Sequence, residues 1–153
     1  MREIKFKVAH YEAKFINKKG WIIPKNSKPK IYPFEEVQWG TDLTPISFIN
    51  KKGIFRVNNP YDKCILLQFT GLKDKKGKEI YEGDIIEWVT DIGIDNGNRG
   101  RVLFSYEGIW KIAEGIGEFG NFKVYNQTHQ IKVIGNIYEN PELLKEVKRK
   151  WQD

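Results

Sequence analysis

A turn tetrapeptide that occurs three times limits this chain to a fold with tightly connected strands. Each copy begins with Asn or Asp, continues with two lysines and ends with glycine; the copies are Asn17-Lys18-Lys19-Gly20, Asn50-Lys51-Lys52-Gly53 and Asp74-Lys75-Lys76-Gly77. Asn or Asp suits the first position of a type I turn because its side chain can bond the backbone ahead. Glycine accepts the left-handed conformation that follows. Since strand-like runs flank each copy, the pattern predicts three β-hairpin tips.

Alternating apolar and polar residues predict short β-strands through most of the chain. The inward-facing rows are Ile65, Leu67 and Phe69, then Val102, Phe104 and Tyr106, then Trp110 and Ile112, and finally Ile131, Val133 and Ile137. Gly135, within the last row, is typical of a bulge. An aromatic content of 14% also favours strands. Short strands separated by Gly and Asn/Asp turns predict an all-β fold, either a small barrel or a sandwich.

Residues 140–153 have a different pattern. Proline is tolerated at the first position of a helix because its missing amide would have no partner there, and Pro141 follows Asn140. The apolar residues that then fall on one helical face are Leu143, Leu144, Val147 and Trp151. The pattern predicts a short carboxyl-terminal helix docked on the strands. A basic helix that contacts a partner or nucleic acid is the alternative.

A charged cluster between residues 73 and 87 has two interpretations. Its acidic residues are Glu79, Glu82, Asp84 and Glu87, and four lysines lie close to them in sequence. Paired carboxylates can perform glycosidase or metal-dependent chemistry. Because these acids alternate with apolar residues, charge pairing across a solvated hairpin is the preferred interpretation. Gly83 then bends the chain into the next strand, and Asp84 bonds nearby backbone amides.

No catalytic, cofactor or metal site is predicted. His10 and His129 are the only histidines, and neither has the spacing of a metal motif. Cys64 lies beside apolar residues, where an inert thiol is expected. Residues 91–102 fail as a calcium loop, since Gly93 and Val102 occupy positions that need oxygen ligands.

The compartment is expected to be the cytoplasm. The amino end, MREIKFKVAHY, lacks the apolar region of a secretory signal. No stretch approaches the roughly 20 apolar residues that span a bilayer. A single cysteine, Cys64, excludes an internal disulfide and agrees with a reducing compartment.

The lysines at the three tips are the candidate contacts for a partner or for nucleic acid. They are Lys18, Lys19, Lys51, Lys52, Lys75 and Lys76, and their number equals the net charge of +6. If the tips gather on one side of the fold, they form a basic rim that can follow a phosphate backbone. We expect the tips to be scattered, so that each lysine pair serves solubility.

Three blocks of sequence together resemble a known family. REIKFKV at 2–8, LLQFTGLKDKKGKEIYEGDII at 66–86 and VIGNIYENPELL at 133–144 are similar to the YopX family, small proteins of bacteriophages and prophages without an established activity. The structural motif of the central block is Gly71, Asp74, Gly77, Tyr81, Gly83 and Asp84. The triplet Ala9-His10-Tyr11 departs from the Ala-Trp-Asp-like triplet of relatives.

The resemblance implies an all-β fold that contains an SH3-like barrel, and it supplies no catalytic residue. On this basis we expect an amino-terminal β lobe with variable loops over residues 1–60. An SH3-like barrel region over 61–139 and a helix over 140–153 follow it, and a single domain over 1–153 is the alternative.

Function is then expected to be binding and not catalysis. The leading hypothesis is an accessory protein of a phage or prophage that acts as a non-enzymatic protein-binding module, with a phage or host protein or a second copy of itself as partner. The alternative is a nucleic-acid-binding β-barrel that uses the lysine-tipped hairpins and aromatics such as Trp21, Trp39 and Trp110. A small enzyme of unknown type is the third hypothesis.

Overall fold

The computed structural model describes residues 5–16, 20–39, 41, 45–57, 59, 62–89, 98–114, 117–121 and 130–145, and this part of the chain is nearly all β. The strands are β1 (Phe6–Tyr11), β2 (Lys14–Ile16), β3 (Gly20–Ile22), β4 (Lys30–Phe34), β5 (Glu36–Trp39), β6 (Pro45–Asn50), β7 (Gly53–Arg56), β8 (Lys63–Lys73), β9 (Glu79–Tyr81), β10 (Asp84–Val89), β11 (Asn98–Phe104), β12 (Trp110–Glu114), β13 (Gly117–Asn121) and β14 (Gln130–Asn136). A short helix, α1 (Glu142–Lys145), follows them. The predicted all-β class is confirmed. The antiparallel sheets include a curled half-barrel, while the SH3-like form of the barrel stays a prediction.

The chain divides into two compact units. The amino-terminal unit comprises residues 5–68, and the carboxyl-terminal unit begins at Phe69, so the division falls inside β8. The sequence-based division placed the change from the lobe to the barrel region after residue 60. Within the part of the chain that the structure describes, no helix is long and apolar enough to cross a membrane.

In the amino-terminal unit, β1 is the central strand of one sheet. It pairs antiparallel with β4 on one side and with residues 63–68 of β8 on the other. Strands β5, β6 and β7 form a second sheet in that order, and β2 and β3 form a hairpin. The pair Asn50↔Gly53 places the second copy of the tetrapeptide where β6 meets β7, as predicted. The first copy is also a predicted hairpin tip, but its residues 17–19 lie outside the described residues.

Aromatic side chains fill the core of the amino-terminal unit. Phe48 is fully buried, and its ring lies 5.0 Å from that of Phe34 and 6.3 Å from that of Phe55. Phe34 stacks on Phe6 at 6.1 Å, and Phe55 stacks on Tyr32 at 4.8 Å. Such ring pairs add about 0.5–1.5 kcal/mol each beyond the burial of their area. The chain of rings therefore joins the sheet of β1 to the sheet of β6.

In the carboxyl-terminal unit, five strands form one antiparallel sheet in the order β13-β12-β11-β10-β14. The remainder of β8, from Phe69, pairs with β9 in the hairpin that carries the third tetrapeptide. The core cluster consists of Ile80, Ile86, Trp88, Val102, Trp110, Ile112, Ile131 and Val133. The predicted inward rows therefore supply much of this core.

A β-bulge interrupts the pairing of β10 with β14. Ile85 pairs with Gly135, but Ile86 pairs with Val133, so β14 has one extra residue at this point. The prediction of a bulge at Gly135 is confirmed, and the bulge bends the strand locally.

Helix α1 lies close to this bulge. A Cβ atom on Gly135 would lie 2.8 Å from Leu143 Cδ1 and 2.9 Å from Asn140 Oδ1, so the chain after β14 folds back on the glycine. The Leu143 amide donates to the Asn140 carbonyl at 3.1 Å, which begins the helix where it was predicted. The predicted helix covers residues 140–153, and residues 146–153 lie outside the described part of the chain.

One predicted inward row is wrong in two of its three positions. Val102 is buried, but Phe104 is 48% exposed and Tyr106 is 93% exposed. Phe104 is the last residue of β11 and is paired with Trp110, so it lies at the end of the sheet. The chain turns after Phe104, so the two-residue period no longer sets which way the Tyr106 side chain points.

Candidate functional site

The charged cluster begins with the turn that closes the β8–β9 hairpin. The Gly77 amide donates to the Asp74 carbonyl at 2.9 Å, and the Asp74 amide donates to the Lys78 carbonyl at 2.8 Å. Gly77 has a φ of 81°, the left-handed conformation that favours glycine. The prediction of turn geometry for this tetrapeptide is confirmed.

The Asp74 carboxylate accepts three backbone hydrogen bonds. They come from Lys76 at 2.8 Å, from Lys78 at 2.9 Å and, far along the chain, from Val133 in β14 at 3.1 Å. Burial by itself raises the pKa of the Asp74 carboxyl. The bonds from Val133, Lys78 and Lys76, together with the charge of Lys78, outweigh that effect and lower the pKa below its ordinary value. The charged form of the Asp74 carboxylate therefore connects the hairpin to β14.

The Gly83-Asp84 step fastens the start of β10 in a similar way. Asp84 Oδ2 accepts from the Tyr81 amide at 2.8 Å, and Asp84 Oδ1 accepts from Asn136 Nδ2 at 3.0 Å. The Gly83 amide donates to the Val102 carbonyl at 2.8 Å. Gly83 has a φ of 79°, so the backbone bend that was predicted before β10 is present.

The rest of the structural motif surrounds these two aspartates. Gly71 also has a positive φ, of 84°. The Tyr81 ring packs 5.4 Å from Phe69, and its hydroxyl donates to Glu79 Oε2 at 2.8 Å. Glu87 forms an ion pair with Arg99 at 3.1 Å. The acids are thus used in packing, turns and cross-strand pairing.

The cluster differs from the prediction in one respect. The predicted hairpin is solvated, but Asp74 and Asp84 are each only 6% exposed. Asp74 and Val133 are 59 positions apart in the sequence, and Asp84 and Asn136 are 52 positions apart. A local sequence pattern does not predict contacts over such separations. These buried aspartates therefore connect segments that are distant in the sequence.

The structure describes four of the six tip lysines, and these four belong to two different units. Lys51 and Lys52 are exposed in the amino-terminal unit, whereas Lys75 and Lys76 are exposed in the carboxyl-terminal unit. Lys18 and Lys19 lie outside the described residues. The expectation of scattered tips therefore stays a prediction.

The Lys51-Lys52 tip is held in place by Asn50. The Lys52 amide donates to Asn50 Oδ1 at 2.8 Å, and Asn50 Nδ2 donates to the Pro33 carbonyl at 3.0 Å. The side chain of Asn50 therefore shapes the turn, as predicted, and also binds the tip to β4.

A buried histidine–aspartate pair was not foreseen from the sequence. His10 Nε2 lies 2.9 Å from Asp62 Oδ2, and Asp62 Oδ1 accepts from the Ala13 amide at 2.7 Å. The His10 ring meets Phe55 edge-on at 4.9 Å. The register pairs Cys64 with His10 across β1 and β8, which makes the Cys64 thiol a candidate nucleophile.

Cys64 does not have the properties of an activated nucleophile. Burial raises the pKa of its thiol to about 11, and the charge of Asp62 adds to the rise. A thiol with such a pKa stays protonated near neutral pH. The contact of His10 with Asp62 joins β1 to the residue that precedes β8. Among the described residues, no group of three or more His, Cys, Asp or Glu side chains could hold a metal ion.

The β11–β12 hairpin presents Tyr106, an aromatic side chain with a predicted inward position, to the solvent. The Gly108 amide donates to the Ser105 carbonyl at 3.0 Å, which closes a four-residue turn with Tyr106 at its second position. Lys111 Nζ lies 5.9 Å from the centre of the Tyr106 ring and 3.0 Å from Glu107 Oε1. An exposed ring on an ordered turn is the kind of feature that anchors a protein partner.

Comparison with known proteins establishes the family to which the chain belongs. A family model described as YopX protein matches residues 6–145. The chain belongs to the YopX family. The predicted family is thus confirmed, and the match includes the β8–β10 segment and α1, whose roles in the fold are described above. No curated protein matches the chain.

Two solved structures are similar to this YopX-family chain. The crystal structure of protein EF1440 from Enterococcus faecalis has 20% sequence identity and a TM-score of 0.52, and the match covers 94% of this chain and 99% of that one. The crystal structure of protein yopX from Bacillus subtilis has 18% identity and a TM-score of 0.47 over the same shares of the two chains. At such identities the first likeness concerns the fold alone.

Proposed function

We propose that the chain is a non-enzymatic protein-binding module, and that its partner contact is centred on the tip of the β11–β12 hairpin. Tyr106 carries the proposal, because its side chain is 93% exposed on a turn whose backbone is hydrogen-bonded. A Tyr side chain has only two χ angles, so it loses little conformational freedom when a partner buries it.

The surroundings of Tyr106 support a protein partner. Phe104, at the end of β11, is 48% exposed and meets Trp110 edge-on at 4.9 Å. Lys111 Nζ lies 5.9 Å from the centre of the Tyr106 ring and forms an ion pair with Glu107 at 3.0 Å. An exposed apolar centre with charged groups at its rim matches the usual anatomy of a protein interface.

Burial of the ring is large enough to matter for affinity. Full burial of a large apolar side chain contributes about 1.5–3 kcal/mol before the costs of association. Loss of one such anchor weakens a typical complex by about 2 kcal/mol or more.

The setting that we propose is the cytoplasm of a bacterial host, with the chain as an accessory protein of a phage or prophage. The resemblance of the three sequence blocks to proteins of bacteriophages and prophages supports this setting. The partner is a phage or host protein, or a second copy of the chain.

The test compares a Tyr106→Ser variant with a Lys76→Ser control. Lys76 is an exposed turn residue of the same unit, so the control reports any general effect of a polar substitution at a hairpin tip. Tagged proteins are expressed in the native host and recovered with their partners, which are quantified by mass spectrometry. We expect one or a few proteins to be lost with Tyr106→Ser and retained with Lys76→Ser. Equal recovery with both variants would contradict the proposal.

A further inference from the structure

The positive charge of the chain belongs to the amino-terminal unit. Residues 5–68 contain twelve Lys and Arg residues against five Asp and Glu residues, a net charge of +7. The rest of the chain has fourteen against fifteen, a net charge of −1. The overall value of +6 therefore hides one strongly basic unit and one nearly neutral unit.

Most of this positive charge faces the solvent. The exposed cations among the described residues of the unit are Lys14, Lys25, Lys28, Lys30, Lys51, Lys52, Arg56 and Lys63. Of the described acids, Asp62 is buried against His10, and Glu12 pairs with Lys30 at 2.7 Å. The exposed acids are Glu12, Glu35 and Glu36. A surface with such an excess attracts polyanions over distances near the Debye length.

Exposed aromatic side chains accompany the cations. Phe15, next to Lys14 on β2, is 60% exposed, and Trp39 at the end of β5 is 47% exposed. Single-strand binding proteins combine these same two elements, because lysines follow the phosphates while aromatic rings stack on the bases. A duplex hides the faces of its bases, so exposed rings favour a single strand over a duplex.

We infer that the amino-terminal unit binds single-stranded nucleic acid, with Lys51 and Lys52 on the phosphates and Phe15 on a base. Asn50 holds the Lys51-Lys52 turn against β4 through its bonds to Lys52 and Pro33, so both lysines project from an ordered tip. This interface lies in a different unit from Tyr106, and it adds a second binding activity to the proposed protein contact.

The repeated tetrapeptide supplies a matched control. Lys51→Gln/Lys52→Gln changes the tip of the basic unit, and Lys75→Gln/Lys76→Gln makes the same change at an equivalent turn of the nearly neutral unit. Both pairs are exposed, so neither double variant should disturb the core. The two variants have the same total charge, and a difference between them reports position alone.

The measurement is fluorescence anisotropy of a labelled oligothymidylate of about 20 nucleotides with the full chain, at salt concentrations from about 50 to 200 mM. We expect the affinity to fall steeply with salt, and the magnitude of the logarithmic slope to decrease by about 1.4 for Lys51→Gln/Lys52→Gln, because each phosphate contact on a single strand contributes about 0.7. At low salt this variant should bind about tenfold more weakly, whereas the Lys75→Gln/Lys76→Gln control should stay within about twofold of the unchanged protein. Absence of binding at low salt, or equal losses in both variants, would overturn the inference.

Two further experiments test whether the Phe15 ring contributes to binding and whether the unit prefers a single strand to other polyanions. Phe15→Ser should weaken binding of the single strand by about tenfold, as expected when one stacked base is lost. A duplex of the same length and heparin should each bind more weakly than the single strand. Equal or tighter binding of either competitor, or an unchanged affinity for Phe15→Ser, would reject a base-stacking interface. Tyr106→Ser should leave this affinity unchanged, which separates the inference from the proposed protein contact.

Discussion

Replacement of Asp74 by alanine should destabilise the carboxyl-terminal unit by about 3–5 kcal/mol. Hydrogen bonds to a charged acceptor contribute about 1.5–3 kcal/mol each, but the three bonds of Asp74 are not equivalent. Lys76 and Lys78 are exposed, so water can replace the carboxylate at their amides. Val133 is buried, and its amide would lose its partner without replacement.

The assay is thermal and urea unfolding, followed by amide exchange to localise the effect. For a chain of this length each 1 kcal/mol shifts the melting temperature by about 2–4 °C, so Asp74→Ala should lower it by about 10 °C. Exchange of the Val133 amide should accelerate. The control is Glu107→Gln, which changes an exposed carboxylate of the same unit and should cost at most about 0.5 kcal/mol.

The lowered pKa of Asp74 gives the same prediction a pH dependence. A carboxyl group whose pKa is lowered by folding binds fewer protons in the folded than in the unfolded state, so its contribution to stability rises with pH. The contribution is complete above the ordinary carboxyl pKa of about 4 and disappears as the pH falls through the lower, folded value. Asp74→Asn should flatten this part of the stability profile. Two results would refute the role of Asp74 as a charged acceptor that connects the hairpin to β14. One is an Asp74→Ala melting point within about 2 °C of that of the unchanged protein, and the other is an unchanged dependence of stability on acid pH for Asp74→Asn.

Three other substitutions test separate parts of the fold by thermal unfolding. Gly77→Val should lower the free energy of unfolding by about 1–2 kcal/mol, because a left-handed φ of 81° is unfavourable for a β-branched side chain. No atom lies within 4 Å of the new Cβ, so the cost is one of backbone conformation. An unchanged midpoint would mean that the turn adopts another conformation. Gly83→Val should cost more than Gly77→Val, since its Cβ would also lie 2.9 Å from Tyr138 Cε2, and an equal or smaller loss would contradict this packing. His10→Ala should cost about 1–3 kcal/mol by removing the ring partner of buried Asp62, and a neutral result would show that the pair is not formed in solution.

Local chemistry in the sequence was sufficient for the turns. The order Asp74-Lys75-Lys76-Gly77 predicts both the bonds that the aspartate side chain accepts from nearby amides and the positive φ of the glycine, because turn geometry depends on adjacent residues. The bulge at Gly135 was predictable for a related reason. Glycine within an alternating row marks a place where the pairing changes.

Contacts between distant segments were not predictable in this way. The bond from Val133 to Asp74 and the pairing of His10 with Asp62 each join residues more than 50 positions apart. A periodic pattern reports which face a residue occupies and not which segment covers that face. For this reason Asp74 was expected at a solvated hairpin and is instead buried.

The error at Tyr106 has a related cause. Extending the alternation from Val102 through Phe104 to Tyr106 assumes that the strand continues, but Ser105 and Gly108 close a turn. The sequence contains a signal for the turn, since Gly108 follows Tyr106 by two positions. The apolar alternation predicts that Tyr106 is buried, whereas the turn residues predict that it is exposed. The alternation alone therefore does not reveal Tyr106 as a candidate interface residue.

Site-specific photo-crosslinking from position 106 in living cells tests the proposed protein contact most directly. A photoreactive phenylalanine replaces Tyr106 in one protein and exposed Lys76 in the control, since both lie at hairpin tips of the same unit. We predict a discrete crosslinked species from position 106, either to another protein or to a second copy of the chain, and none from position 76. Irradiation that gives no crosslink at position 106, or the same pattern from both positions, would contradict the proposal that this tip contacts a protein partner.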